Sequence, residues 1–471
     1  MSHVPFLASR RNTLQCPVER SLLRLPRREC SSAASRAPQG KSRLVALLFV
    51  LLLACATQAH AQWLFGRLVP DPPETQANNH NSHVDVSSDG KTVVFTSAAN
   101  NWAPNSDPQS NYVVVTDLDG GLIQYISRTT AGTPVRGERP MVSGDGRYVA
   151  FLTYNSNLGV GIPTPGWQVV RKDRVSGQLV LASANASGSV AADAVEDDSL
   201  SMSGNGRYVA FGGMSTNLGI DPKGSNQVFV KDLSSGTVTL VSAKPDGTAS
   251  DNYCALYPRA QSDDGRFIVF TCQDPMATGG GYWSTYMRDL AFNHTSLISR
   301  ANGSNGVGNG NVVTADPAIS PNGRLVVFRN RCYGALGGDC VNNSGLYVRD
   351  VVAHTTTVIP KPVAADFDAC RNSDISDIGT VLMTCTLSGV DQVYLHIPGA
   401  SGTPFPISSN DSNIPGNLRS GATVAMDAAG LSYAFESQAN NLVPGDTNNA
   451  TDIFMLVDSD LINALFSDGF E

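Results

Sequence analysis

The stretch GDGRYVAF at residues 144–151 returns as GNGRYVAF at residues 204–211, with one residue changed. In looser form the same pattern occurs seven times, and the glycines of successive copies are 51 to 60 residues apart. Such a period is typical of a repeat architecture, in which every unit is one small block of secondary structure. The copies are residues 87–95, 143–151, 203–211, 262–270, 320–328, 376–384 and 427–435.

Each copy predicts a β-hairpin followed by a strand that is covered on both faces. Five of the seven copies contain Asp-Gly or Asn-Gly, which favours a tight hairpin and in particular a type I′ turn. In the strand that follows, Tyr148 and Ala150 lie on one face and Val149 and Phe151 on the other. Because both faces are apolar, such a strand cannot have one side in water.

A third and a fourth strand complete the unit. Segments such as VFVKD at residues 228–232 end in aspartate 24 to 28 residues after the glycine in six of the seven units. A turn and a further strand follow, as in LSSGTVTLVS at residues 233–242. Each unit is therefore predicted to be a four-stranded antiparallel sheet.

Radial packing of these sheets buries both faces of each one and leaves only short edges. The chain is therefore predicted to be all-β, a β-propeller of seven four-stranded antiparallel blades, with six or eight blades as the alternatives. The phenylalanine five residues after the glycine, kept in six of seven units, is expected between blades.

The repeat resembles a known family. The pattern S-x-D-G-R-Y-V-A-F, together with NLVPGDTNNATDIF at residues 441–454, is similar to the TolB-type, WD40-like propeller repeat of exported bacterial proteins. The resemblance covers about residues 80–460 and implies the fold, whereas propellers carry out many different functions.

The first 61 residues indicate export. They contain nine Lys or Arg and two Glu, a charge of +7, which leaves −15 for the remainder of a chain whose total is −8. The apolar run Leu44–Ala54 and the sequence Ala59-His60-Ala61 follow, as in a secretory signal peptide. We expect a periplasmic or extracellular protein without a transmembrane span in its mature chain. A retained membrane anchor and lipidation of Cys55 are the alternatives.

The domain organisation follows from these two features. Residues 1–61 form the leader, residues 62–80 a linker or closing strand, residues 81–460 the propeller and residues 461–471 a C-terminal tail. The last unit has three clear strands, and either residues 63–69 or residues 461–466 could supply its fourth.

The cysteines outside the leader are expected to form disulfides, because their number is even and the chain is predicted to be exported. The six cysteines pair by proximity as Cys254 with Cys272, Cys332 with Cys340, and Cys370 with Cys385.

One loop is a candidate metal site. Asp446, Asn448 and Asp452 are oxygen donors along a tight loop, which suits Ca²⁺, although Asp and Asn also cap turns without any metal. No other cofactor is expected.

The mouth of the central channel is the candidate ligand site, because propellers usually bind ligands where the loops enter the first strands. Counting back from each glycine selects a mixed polar ring, which suits a peptide or another polar ligand. Its members are His83, Glu138, Arg139, Asp198, Tyr257, Arg259, Asp316 and Arg371.

Charge and motifs narrow the function. The net −15 opposes binding to nucleic acid or anionic lipid. The chain lacks G-x-S-x-G, H-E-x-x-H and P-loop motifs, so we expect a protein that is not an enzyme. We expect a monomeric propeller that binds a protein, peptide or cell-envelope component. A hydrolase or lyase acting on polysaccharide or peptide, and a passive surface or adhesion module, are the alternatives.

Overall fold

The strands form seven antiparallel sheets arranged as the blades of a propeller, as predicted. Six sheets have four strands, and the seventh has a fifth strand, Phe6–Arg10, at its outer edge. The first strands of neighbouring blades lie against one another around the channel. The computed structural model describes residues 6–10, 63–68, 76–102, 110–119, 123–162, 166–189, 191–193, 195–308, 314–331, 344–362, 370–399 and 403–458.

Blades are numbered here in chain order, each from its inner to its outer strand. Blade 1 contains Asn81–Val86, Thr92–Ser97, Tyr112–Asp117 and Gln124–Tyr125. Blade 2 contains Glu138–Val142, Tyr148–Thr153, Gln168–Asp173 and Leu179–Leu181, with the 3₁₀ helix Ser156–Leu158 between its second and third strands. Blade 3 contains Leu200–Met202, Tyr208–Gly213, Gln227–Asp232 and Val238–Leu240. Blade 4 contains Cys254–Ala255, Phe267–Cys272, Ser284–Asp289 and His294–Leu297.

The remaining three blades follow the same plan. Blade 5 contains Thr314–Ile319, Leu325–Arg331, Ser344–Asp350 and Thr355–Val358. Blade 6 contains Cys370–Ile375, Val381–Leu387, Val390–His396 and Phe405–Pro406. Blade 7 contains Ser420–Met426, Ser432–Ser437 and Asp452–Asp458, and its fourth strand is Trp63–Leu68.

The repeated turn joins each blade to the next. In every blade, one backbone N–H of the S-x-D-G turn donates a hydrogen bond to the turn of the following blade. The donor is the residue at the x position of the pattern or the residue directly after it. We call the resulting closed circle of seven hydrogen bonds the turn ring. The bonds run from Asp89 N to Gly144 O, Gly144 N to Gly204 O, Asn205 N to Asp263 O, Asp263 N to Pro321 O, Asn322 N to Asp377 Oδ1, Asp377 N to Ala428 O and Ala428 N to Ser88 O, at 2.7 to 3.2 Å.

The turn itself differs from the predicted type I′ turn. In blade 2, Gly146 N donates to Ser143 O at 2.9 Å, and Gly146 has a positive φ of 72° whereas Asp145 does not. This is a type I turn followed by a left-handed glycine. The Ser143 hydroxyl donates to Asp145 Oδ1 at 2.7 Å and accepts from Tyr148 N at 2.8 Å, so the side chains close the turn from within.

The core lies between the blades. The predicted interblade phenylalanines, including Phe151, Phe211 and Phe270, are at most 1 % exposed. Glycine is required at the turn for a second reason, because a Cβ on Gly206 would lie 2.3 Å from the Tyr148 ring of the preceding blade. The first residue of one blade's second strand therefore packs directly on the next blade's turn.

Two of the three predicted cysteine pairs are disulfides. Cys254–Cys272 and Cys370–Cys385 join the first and second strands of blades 4 and 6, each with Cα atoms 4.1 Å apart. Each closed loop is worth about 3 kcal/mol on the chain-entropy model. Cys332 and Cys340 lie outside the described residues, as do residues 461–466 and Cys55.

The N-terminal candidate closes the propeller. Trp63–Leu68 pairs antiparallel with Asp452–Asp458, and its Phe65 ring stacks on Phe454 at 5.7 Å. Its Arg67 is 5 % exposed and contacts Asp446 and Asp452, both at 3.0 Å. In the part of the chain that the structure describes, no helix has the length and hydrophobicity needed to cross a bilayer.

Replacing Arg67 tests this closure. Arg67→Met leaves two buried carboxylates without their cation, so we expect a loss of about 3 to 5 kcal/mol in the free energy of unfolding at pH 8. Burial raises the pKa of Asp452 to about 6, above the value of an unfolded aspartate. At low pH, protonation removes the negative charge that Arg67→Met leaves unpaired at Asp452. The loss in the free energy of unfolding should therefore be smaller at pH 5 than at pH 8.

Urea denaturation at the two pH values measures this difference. The control is Arg324→Met, which removes an Arg–Asp350 pair whose arginine side chain is 54 % exposed, and which should cost less than about 1 kcal/mol. Equal losses in the two variants would show that Arg67 does not hold the closing strand.

Candidate functional site

The channel is lined at its open mouth by residues of unusual backbone conformation from six of the seven blades. The first strands of five blades contain a β-bulge at this level. A bulge inserts an extra residue and changes the direction in which a side chain leaves the strand. The positive-φ residues at or beside the first strands are His83, Arg139, Asp198, Arg259, Asp316, Asn372 and, in blade 7, Gly421.

All of these residues except Gly421 line a cavity of about 630 Å³, which we call the cup. Six of the eight residues predicted for the channel mouth line the cup: His83, Arg139, Asp198, Tyr257, Arg259 and Asp316. The other two do not. Glu138 pairs with Arg136, and Arg371 pairs with Asp391 at 2.7 Å.

Arg259 forms the floor of the cup. Its side chain extends from blade 4 across the channel to blade 1, where it contacts Asp85 at 2.5 Å and donates to Val86 O at 2.8 Å. It also lies 3.6 Å from Asp374 of blade 6. Burial raises the pKa of both aspartates, and the guanidinium opposes that rise. Arg259 is therefore a structural cation, and below it lies a cavity of only about 30 Å³.

The wall from blade 3 is acidic. Glu196, Asp197 and Asp198 are consecutive in the loop that enters the first strand, and all three line the cup. Asp198 pairs with Arg139 of blade 2. Glu196 accepts hydrogen bonds from Asn226 Nδ2 at 2.8 Å and from the Tyr253 hydroxyl. In total the cup is lined by six carboxyl groups and two guanidinium groups, a formal charge of −4.

The wall from blade 4 is aromatic. The rings of Tyr253 and Trp283 line the cup with centroids 5.7 Å apart and an interplanar angle of 55°. Trp283 has a φ of 57°, and its carbonyl accepts bonds from the backbone and hydroxyl of Thr314, both at 2.8 Å. Sequence counting missed both residues, because they precede strands in positions that the repeat does not mark.

The wall between blades 7 and 1 holds a buried acid beside a histidine. Glu436, on the second strand of blade 7, accepts the backbone N–H of His83 at 3.0 Å. Burial raises the pKa of Glu436 to about 7. Burial and then the Arg139 charge lower the pKa of His83 to about 4, so the imidazole is neutral at pH 7.

The candidate calcium ligands lie elsewhere, at the closing strand. Asp446 and Asp452 both contact the Arg67 guanidinium, and Asn448 Nδ2 donates to Asp452 at 3.2 Å. Calcium would have to displace Arg67 from between the two carboxylates. Within the described ranges no group of three or more His, Cys, Asp or Glu side chains is arranged to hold a metal ion. The calcium site stays a prediction.

Solved structures show the same fold at low sequence identity. No family model and no curated protein matches the chain. The oligogalacturonate lyase of Vibrio parahaemolyticus is 9% identical with a TM-score of 0.51, over 85% of this chain and 94% of the lyase. The propeller domain of the trilobed protease from Pyrococcus furiosus is 14% identical with a TM-score of 0.48, over 81% and 94%. TolB from Acinetobacter baumannii is 12% identical with a TM-score of 0.38, over 68% of this chain and 61% of TolB.

The match to the lyase overturns one expectation. From the missing motifs we expected that the chain is not an enzyme. That expectation is wrong, because the missing motifs do not justify it. The oligogalacturonate lyase, which matches this chain with a TM-score of 0.51, is an enzyme with this fold. The fold therefore accommodates catalysis, and the absence of the motifs searched for does not exclude it.

The pH dependence of stability tests the position of Glu436. Its pKa of about 7 lies above the roughly 4.3 of an unfolded glutamate, so the folded chain binds the proton more tightly. The resulting stabilisation is fully present below about pH 4.3 and lost as the pH rises through 7. Between pH 5 and pH 8 the free energy of unfolding of the wild type should fall by about 2 to 3 kcal/mol more than that of Glu436→Gln. Urea denaturation at the two pH values measures this difference. If the free energy of unfolding depended on pH in the same way in the wild type and in Glu436→Gln, Glu436 would be exposed to water and not buried.

The fold and the repeat agree. Seven blades, the interblade phenylalanines and the glycine at each turn lie where the repeat predicts them. Solved TolB structures are among the proteins that match. The chain is a seven-bladed β-propeller.

Proposed function

We propose that this chain is an exported propeller that binds a peptide segment of a protein partner in the cup at its channel mouth. The observation that carries the proposal is the cup itself, a cavity of about 630 Å³ with Arg259 across its floor and a positive-φ residue from each of six blades in its lining. Cavities of this size hold a ligand of a few residues.

The lining supports a peptide in particular. Aromatic faces and prolines supply apolar contact, and carboxylates and amides supply polar partners, which is the composition of a recognition site for extended chains. Acidic ligands are disfavoured by the formal −4 of the lining.

Export is supported by two observations. The leader has the cationic segment, the apolar run and the Ala-x-Ala sequence of a signal peptide. The two disulfides suit an oxidising compartment such as the periplasm or the cell exterior.

A second candidate is a peptide hydrolase acting in the same cup. The observation that favours it is the Glu436 carboxyl, whose pKa of about 7 suits proton transfer at neutral pH, beside the neutral His83 imidazole. The two functions share the ligand class and differ in whether the peptide is released intact.

Blocking the cup tests the proposal. Ala422 is exposed and lines the cup, so Ala422→Trp fills the cavity without disturbing the core. The control is Ala353→Trp, at an exposed position in the outer turn of blade 5. Capture of partners from an envelope extract, read by mass spectrometry, should be lost in Ala422→Trp and kept in the control.

The same experiment separates the two candidates. Partners recovered intact indicate binding. Partner peptides cut by the wild type and left whole by Glu436→Gln would indicate a hydrolase. Equal capture by Ala422→Trp and the wild type would show that the cup is not the binding site.

A further inference from the structure

We propose that the wall of the cup between blades 3 and 4 is a subsite for a cationic side chain, that of a lysine or arginine in the bound peptide. The subsite consists of Glu196, Asp197, Tyr253 and Trp283, and we call it the cation corner. The inference rests on the proposed function, because it assigns the chemistry of one residue of the same ligand.

The charge of Glu196 is not paired with either arginine of the cup. Asp85 contacts Arg259 and Asp198 contacts Arg139, while Asp316 lies 3.4 Å from Arg329. Glu196, by contrast, accepts hydrogen bonds from an amide and a phenol, which are neutral donors. The negative charge of Glu196 therefore remains available to a ligand at the cup wall.

Asp197 strengthens the same corner. It follows Glu196 in the loop, is exposed and lines the cup, where it also interacts electrostatically with Arg139. Two adjacent carboxylates at the edge of a half-enclosed cavity attract a cation more strongly than one on an open surface, because the surrounding protein reduces solvent screening.

The aromatic residues provide the second element of cation recognition. The Tyr253 hydroxyl donates a hydrogen bond to Glu196, and the centroid of the Trp283 ring lies 5.7 Å from that of the Tyr253 ring. Cations bind favourably over the faces of such rings, and tryptophan binds them best. A subsite built of two acids and two rings thus selects an ammonium or guanidinium group over a neutral or acidic one.

The backbone holds the tryptophan in place. A φ of 57° is a costly conformation for a residue as large as Trp283. The two hydrogen bonds from Thr314 to its carbonyl keep this conformation, so the ring is fixed at the cup before a ligand arrives. A preorganised ring costs the ligand less entropy on binding.

Capped peptides of one sequence test the inference. The probes are acetyl-Gly-Ala-Lys-Ala-Gly-amide and its matched forms with Gln or Glu at the centre, titrated against the mature chain by calorimetry. We expect the Lys peptide to bind about tenfold more tightly than the Gln peptide, and the Glu peptide to bind most weakly. Raising the ionic strength from about 0.05 M to about 0.5 M should reduce that preference.

Variants assign the preference to residues. Glu196→Gln with Asp197→Asn, and separately Trp283→Leu, should each abolish the preference for Lys, while circular dichroism shows that the blades are folded. The control is Asp246→Asn, which removes one carboxylate at an exposed position that does not line the cup. It should leave the preference unchanged.

The outcomes separate this inference from the proposed function. Equal affinities for the three peptides, each lost in Ala422→Trp, would overturn the cation corner and leave peptide binding in the cup intact. No binding of any peptide at millimolar concentration would overturn both. Butylammonium binding as tightly as the Lys peptide would contradict a peptide ligand, because the free cation would then suffice.

Discussion

Each blade of this propeller has two apolar faces, and neither can be left in water. A strand such as Tyr148–Thr153 is buried along almost its whole length, which an isolated sheet cannot achieve. Every blade must therefore lie between two others, and a row of such blades has to close on itself. The turn ring and the strand Trp63–Leu68 are the two devices that close it, one through backbone hydrogen bonds and the other through the last blade.

The two ends of the channel differ, because one is closed by the repeated turns and the other holds the cup. The turn ring draws the seven hairpins together, and Arg259 crosses the channel above them. At the opposite end the first strands of five blades bulge, and positive-φ residues from six blades line the cup. The repeated residues, Ser, Asp and Gly, thus maintain the ring, whereas the residues that vary between blades line the cup. Function is expected at the end where the repeat is least regular, because the scaffold imposes no residue there.

Much of the fold could be predicted from the sequence, because the constraint is local and repeated. The glycine at each turn, the interblade phenylalanines and two cysteine pairs all lie within a single blade, so their spacing alone predicts their position. The predicted type I′ turn was wrong, because the Ser143 and Asp145 side chains stabilise a type I turn, which Asp-Gly alone does not specify. The choice of closing strand could not be made, because it depends on a buried contact between Arg67 and residues almost 400 positions away.

The site was only partly predictable for the same reason. Counting along the first strands located six lining residues, because those strands do line the channel. It missed Tyr253 and Trp283, which precede strands, and Glu436, which lies on a second strand and reaches the cup only through the packing of blades 7 and 1. It also treated Arg259 as a ligand contact, whereas the fold uses it to neutralise two buried aspartates.

Hydrogen exchange of the backbone amides in the turn ring tests the central claim most directly. If the seven turns form one closed circle, their hydrogen-bonded amides can exchange only when the whole propeller opens. They should therefore exchange as slowly as the amides of the central strands. Asp89, Gly144, Asn205, Asp263, Asn322, Asp377 and Ala428 are the amides to follow. Exchange of these amides at the rate of exposed loops, with the strands still protected, would contradict the closed ring.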